Sequence, residues 1–197
     1  MIAEKFSTTG ENGEDVACDE NPFNQFLNKL RIMNKSFVMM FGVTTIFAWL
    51  SIISFGANIF ETFIIYPNIF HDVPSSLERA MGFMVIAGPD DFFPIIGFLT
   101  LVSGIATLIL TRKIKQSKYW IMGSLLVIFV GEFLFSSAYF WPKNTVMFLE
   151  GTSVHSISVL QETAKDFQTG HWLRLSMNGV AAIMSFIGMM YIFRYIS

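Results

Sequence analysis

The chain is 197 residues long, 53% hydrophobic and 14% charged, with a formal net charge of -2 and a mean hydropathy of +0.53, well to the apolar side of an average soluble domain. A net charge so small, with basic residues clustered beside apolar runs, excludes a nucleic-acid-binding protein. The single Cys18 excludes an internal disulfide, and His71, His155 and His171 stand at no recognised ligand spacing, so no metal site and no cofactor are expected.

Residues 1–22 are polar and acidic, with Glu4, Glu11, Glu14, Asp15, Asp19 and Glu20. They lack the basic and apolar regions of a signal peptide and read as a flexible tail. Residues 23–197 read as one membrane domain. Lys29, Arg31 and Lys35 lead into a first apolar helix over about 36–66, roughly 45 Å long against a hydrocarbon core of about 30 Å. Turn signals at Pro74 and Gly88-Pro89 follow, and Ser75-x-x-Glu78 predicts a capping box for a short helix through Ile86.

A second apolar helix spans about 92–110, with Pro94 in its first turn, and the basic link 111–118 is short enough to require a hairpin into a third over about 119–141. In the segment 142–170, Val154, Ile157, Leu160, Ala164 and Phe167 recur at helical spacing, which predicts a short amphipathic helix lying over the bundle as a lid. A fourth apolar helix runs over about 171–195. The fold class is therefore all-α, an integral membrane four-helix bundle of two tandem helical hairpins, with short extramembrane helical caps on the outer side. Lysine and arginine crowd before the first helix and between the second and third, so the positive-inside rule expects both termini in the cytoplasm.

Two stretches repeat. Gly56 to Pro67 carries Asn58 and Glu61 and closes the first apolar run at Tyr66-Pro67, and Gly131 to Pro142 carries Glu132 and closes the third at Trp141-Pro142. A carboxylate there sits where lipid would be its worst environment.

Polar and small residues at helical spacing mark the inward face of a membrane helix. The first helix offers Ser51, Ser54, Asn58, Glu61 and Thr62; the second Gly97, Thr100, Gly104, Thr107 and Thr111; the third Glu132, Ser136 and Tyr139; the fourth His171, Arg174, Asn178, Ser185 and Gly188. Glu132 precedes Trp141 by nine positions, roughly 13 Å below the outer boundary. It should be paired or protonated there, and Arg174 is its cationic candidate on an inward face. Such a pair would serve chemistry or only fix helix register, and Glu61 would sit either in a site or in the solvated headgroup region.

The spacing Gly56-x-x-x-Phe60-x-x-Phe63-x-x-x-Pro67 resembles the first helix of the anthrone oxygenase-like family of small four-helix membrane proteins. Gly131 to Pro142 with Asn144 is similar to that family's third-helix glycine and Pro-x-Asn ending, and His171-Trp172-Leu173-Arg174 to the motif opening its fourth helix. Thr145 stands where the family usually has a second Asn. The resemblance implies cofactor-free oxidation of a hydrophobic aromatic or quinone-like substrate by dioxygen. In it Glu132 or His171 is the base, and Arg174, Asn144 and Asn178 hold the developing oxyanion; Asn58, Glu61, Tyr139 and Trp172 complete a ligand pocket. The alternatives are a non-catalytic binder of a hydrophobic small molecule and an accessory subunit of a larger membrane assembly. Membrane lipid is a partner on every reading.

Overall fold

A computed structural model of the protein describes residues 22–196, with side chains described for 35–195. The acidic tail expected over residues 1–22 lies, but for Pro22, outside the described residues. Helix α1 spans Pro22–Phe60, passes through a π-helical segment at Glu61–Ile65, and continues as α2, Tyr66–Phe70. Then come α3 (Ser75–Phe83), α4 (Pro89–Leu110) and α5 (Lys115–Ile128). The third apolar run goes on through π-helical segments at Phe129–Leu134 and Ser136–Phe140, α6 (Trp141–Asn144), a further π-helical segment at Thr145–Glu150 and α7 (Gly151–Val154). Helix α8 is a single helix, Ile157–Ile196. Contacts divide the chain after Ser36, and the helix packing and the polar site both lie within the unit that begins at Phe37.

Among the described residues, four helical runs are long and apolar enough to cross a membrane: Lys35–Phe70, Pro89–Leu110, Lys115–Val154 and Ile157–Tyr195. Their mean hydropathies of 1.6 to 2.2 identify an integral membrane protein. The third run, of 40 residues, is roughly 60 Å long at 1.5 Å per residue, so part of it projects beyond the hydrocarbon core.

Proline does not end the first and third runs, as the sequence led us to expect, and the reason is the π turn before each one. A proline in a regular helix removes one hydrogen bond and presses its ring on the carbonyl four residues back. Here the residue before each proline bonds five residues back instead: the Tyr66 N–H donates to the Glu61 carbonyl, and the Trp141 N–H to the Ser136 carbonyl. The widened turn accommodates Pro67 and Pro142, and the chain stays helical to Phe70 and Val154.

The caps differ from expectation too. The short helix after Pro74 exists, ending at Phe83 and not Ile86. No Ser75 capping bond starts it; the Ser76 hydroxyl donates to the Ile69 carbonyl at 2.6 Å and accepts from the Asp72 N–H at 3.1 Å. The separate lid over 154–167 is absent, since α8 is continuous from Ile157. Leu160, Ala164 and Phe167 are nevertheless buried at helical spacing, as predicted, whereas Val154 and Ile157 are exposed. The buried three join Tyr66, Ile69, Val73, Leu77, Phe140 and Met147 in an apolar core at the proline end.

In the apolar half, α5 and α8 form the main seam. Lipid offers no hydrophobic drive between helices, so small residues and hydrogen bonds to backbone must hold them. The Ser117 hydroxyl donates to the Gly188 carbonyl at 2.9 Å and the Ser124 hydroxyl to the Ala181 carbonyl at 2.8 Å. Helix α4 packs tightly at Gly104, where a β-carbon would come within 2.5 Å of Leu125 and 2.7 Å of Phe47. Phe47, Ile121, Ile128 and Ala181 are the buried core of this half.

Candidate functional site

Asn58, Glu61 and Thr62 stand three and four residues apart at the end of α1 and the start of the π-helical segment, so they share one face. Across from them, His171, Arg174 and Asn178 share a face of α8. The two faces meet. Glu61 is 4% exposed and His171 1%, and they carry the densest set of polar contacts in the apolar part of the molecule.

Glu61 Oε2 receives Arg174 Nη2 at 3.3 Å and lies 3.3 Å from His171 Nε2. The same guanidinium nitrogen is 2.6 Å from His171 Nε2 and 3.4 Å from the Tyr66 hydroxyl. The protons can be assigned from the network. The Thr62 hydroxyl donates its one hydrogen to the Asn58 carbonyl at 2.7 Å, so at 3.0 Å it accepts from His171 Nδ1. His171 Nε2 then accepts from Arg174, and the imidazole is neutral with its proton on Nδ1. Arg174 and Glu61 are left as the charged pair.

The pair sits in an aromatic shell. The Tyr66 ring meets His171 edge-on at 4.5 Å, and the Arg174 guanidinium lies 4.5 Å from the Phe140 ring and 5.7 Å from that of Phe93 on α4, where the ring faces attract the cation. Among the described residues some buried polar atoms have no hydrogen-bond partner: Glu61 Oε1, Asn58 Oδ1 and Arg174 Nε at the cluster, Ser136 Oγ on the third run and Thr107 Oγ1 on α4. An orphaned buried polar atom is costly and calls for an explanation.

Glu132 occupies a second polar layer. Asn178 donates from Nδ2 to Glu132 Oε1 and, at 3.2 Å, to the Arg174 carbonyl, while its Oδ1 accepts from the Ser54 hydroxyl at 3.2 Å. Beside it lies a cavity of ≈ 20 Å³ bounded by Ser51, Ser54, Gly97, Thr100, Glu132 and Asn178, room for about one water.

Of the residues singled out in the sequence, the structure gathers Asn58, Glu61, His171, Arg174 and Asn178, and links Glu132 to them through Asn178. The expected Glu132–Arg174 ion pair does not form, because Arg174 pairs with Glu61. Nor is Glu61 solvated in the headgroup region: the helix continues past Pro67, and the apolar core at the proline end closes over it. Three others stand apart. The Tyr139 hydroxyl donates to the Asp166 carbonyl at 2.8 Å under the Lys143 ammonium; Trp172 is exposed, edge-on to Phe63; and half-buried Asn144 makes no hydrogen bond to the cluster among those described. Tyr66, which the sequence places at the close of the first apolar run, is buried in the site. The π turn aims it there, and no sequence signal announces that turn.

No family model, curated protein or solved structure matches the chain.

Proposed function

We propose that this integral membrane protein binds a hydrophobic aromatic or quinone-like molecule at the Glu61–His171–Arg174 cluster and oxidises it with dioxygen, without a cofactor. The observation that carries this reading is that Glu61 and Arg174, paired with one another, each keep a buried polar atom with no hydrogen-bond partner among the described residues, Glu61 Oε1 and Arg174 Nε, beside aromatic rings. An acceptor and a cationic donor in a dry site are what a base-promoted oxidation of an acidic C–H group needs.

Glu61 takes a proton from a methylene flanked by aromatic rings, and the resulting electron-rich carbanion adds to dioxygen, forming a C–O bond. The peroxide product takes the proton back and loses water, leaving a ketone. Carbon is oxidised by four electrons and dioxygen is reduced by four, one oxygen going to the ketone and one to water. Arg174 holds the enolate oxygen during the first step. His171 is ill-suited as the base, since its Nε2 accepts from Arg174 and its Nδ1 proton is held by Thr62. Helix α4, the least buried of the four runs, is the element whose outward movement would admit a substrate past Phe93.

The two tandem hairpins of the membrane domain and its cytoplasmic termini belong to the same proposal, supported by Arg112, Lys113, Lys115 and Lys118 at the α4–α5 turn. A second reading has a specific observation behind it: Glu61 and Arg174 already pair with one another, as a non-catalytic ion pair fixing helix register would. Oxygen uptake by the purified protein given an anthrone separates the two. The oxygenase reading expects turnover that falls at least 10²-fold in Glu61→Gln; wild type and Glu61→Gln consuming oxygen at the same background rate would leave only the structural one.

A further inference from the structure

The small cavity in the second polar layer is lined by apolar Phe93, Ile128 and Ala181 on part of its wall and by polar groups on the rest. Three hydroxyls border it, and each has already given its hydrogen away: Ser51 to the Phe47 carbonyl at 2.9 Å, Ser54 to Asn178 Oδ1 at 3.2 Å, and Thr100 to the Ile96 carbonyl at 2.7 Å. A hydroxyl has one hydrogen and two lone pairs, so only lone pairs remain to face the space. Both amide hydrogens of Asn178 are engaged, by Glu132 Oε1 and by the Arg174 carbonyl. The remaining bordering polar group is the Glu132 carboxylate, which when ionised only accepts. No donor is left to point inward.

Charge leads the same way. Among the described residues no cation pairs with Glu132: Arg174 is engaged by Glu61, and the other ion pairs, Lys143 with Asp166 and His155 with Glu150, lie toward the ends of the third run and α8. A carboxylate within a membrane bundle needs a counter-charge or a proton.

We infer that this cavity is a binding site for one dehydrated alkali-metal cation, held by the Glu132 carboxylate and the hydroxyl oxygens of Ser51, Ser54 and Thr100. Hard cations take oxygen ligands of this kind. One carboxylate balances one positive charge, which favours a monovalent ion over a divalent one. The volume of ≈ 20 Å³ is room for one small occupant, a bare ion or a water. Its ligands come from α1, α4 and the third run, with Asn178 of α8 orienting the carboxylate, so the ion ties all four runs together. The site does not depend on the reading of the Glu61 cluster.

The experiment is thermal unfolding of the full chain in detergent, in sodium chloride, potassium chloride or choline chloride at equal concentration. Choline supplies the same ionic strength but is too large for the cavity. The midpoint should rise with sodium or potassium, saturating as a single site does, and stay flat in choline. Glu132→Gln should remove the rise. If that variant does not fold, Thr100→Val, which keeps the volume and deletes one ligand oxygen, should move the half-saturating concentration upward several-fold. Equal midpoints in all three salts would overturn the site, meaning that Glu132 holds a proton or the cavity holds only a water. An alkali-ion response that survives unchanged in Glu132→Gln or Thr100→Val would overturn its location.

Discussion

Removing one charge of the Glu61–Arg174 pair should cost far more than half of what removing both costs. Glu61→Gln leaves a guanidinium 12% exposed with only the Tyr66 hydroxyl, the His171 nitrogen and two ring faces for company. Arg174→Gln leaves a carboxylate 6% exposed beside a neutral imidazole. Breaking a buried pair in this way costs about 3 to 5 kcal/mol. The 3.3 Å separation is longer than a strong charge-assisted bond, which puts each single variant toward the lower figure. The double variant leaves no uncompensated charge, and its loss should be about 2 to 3 kcal/mol, whereas additivity would require at least about 6. Reversible unfolding in mixed micelles, followed by helical circular dichroism, measures all three. A double variant that loses the sum of the singles would refute the pairing, and with it the assignment of Arg174 to Glu61 over Glu132.

Three further outcomes are expected from particular contacts. Gly104→Ala puts a β-carbon 2.5 Å from Leu125 and 2.7 Å from Phe47, while Gly97 has nothing within 4 Å; the first should lose about 1 to 3 kcal/mol and Gly97→Ala should lose nothing or gain up to about 1 kcal/mol. Equal losses in the unfolding assay would contradict the packing of α4. Gly151 has φ 53° and ψ -147°, close to a region that is essentially glycine's alone and costs other residues about 1 to 3 kcal/mol, so Gly151→Ala should lower the melting midpoint where alanine at exposed Thr152 does not. In a Cys18→Ser background, cysteine at exposed position 162 should react from outside with an impermeant reagent and cysteine at 115 should not; the reverse pattern would invert the proposed orientation.

The inward faces of the helices are legible in the sequence because lipid makes the rule one-sided. A polar side chain in a membrane helix has nowhere favourable to go but inward. Spacing alone marks Ser51, Asn58, Glu61, Thr100, Thr107, Ser136, His171, Asn178 and Ser185, and all are buried. Depth and partnership are not legible in the same way. Both depend on taking Pro67 and Pro142 as helix ends, and the π turns that carry the chain past them leave no mark in composition or period. One widened turn shifts a face by a residue, enough to aim Tyr66 inward. With Pro67 as an end, Glu61 falls near solvent and Glu132 becomes the expected partner of Arg174. The lid fails for a related reason: helical periodicity shows which residues face the core, and it is silent on whether a short amphipathic run stands alone or continues into the next span.

A hydrophobic ligand held at the Glu61–His171–Arg174 cluster should be visible by native mass spectrometry of the protein released gently from its membrane. Wild type should carry one aromatic or quinone-like molecule per chain, and the mass of that adduct should vanish in Glu61→Gln/Arg174→Gln, with circular dichroism checking that the double variant is still folded. A bare wild-type chain that stays bare when an anthrone is added in excess, or an adduct that persists undiminished in the double variant, would contradict binding at the cluster.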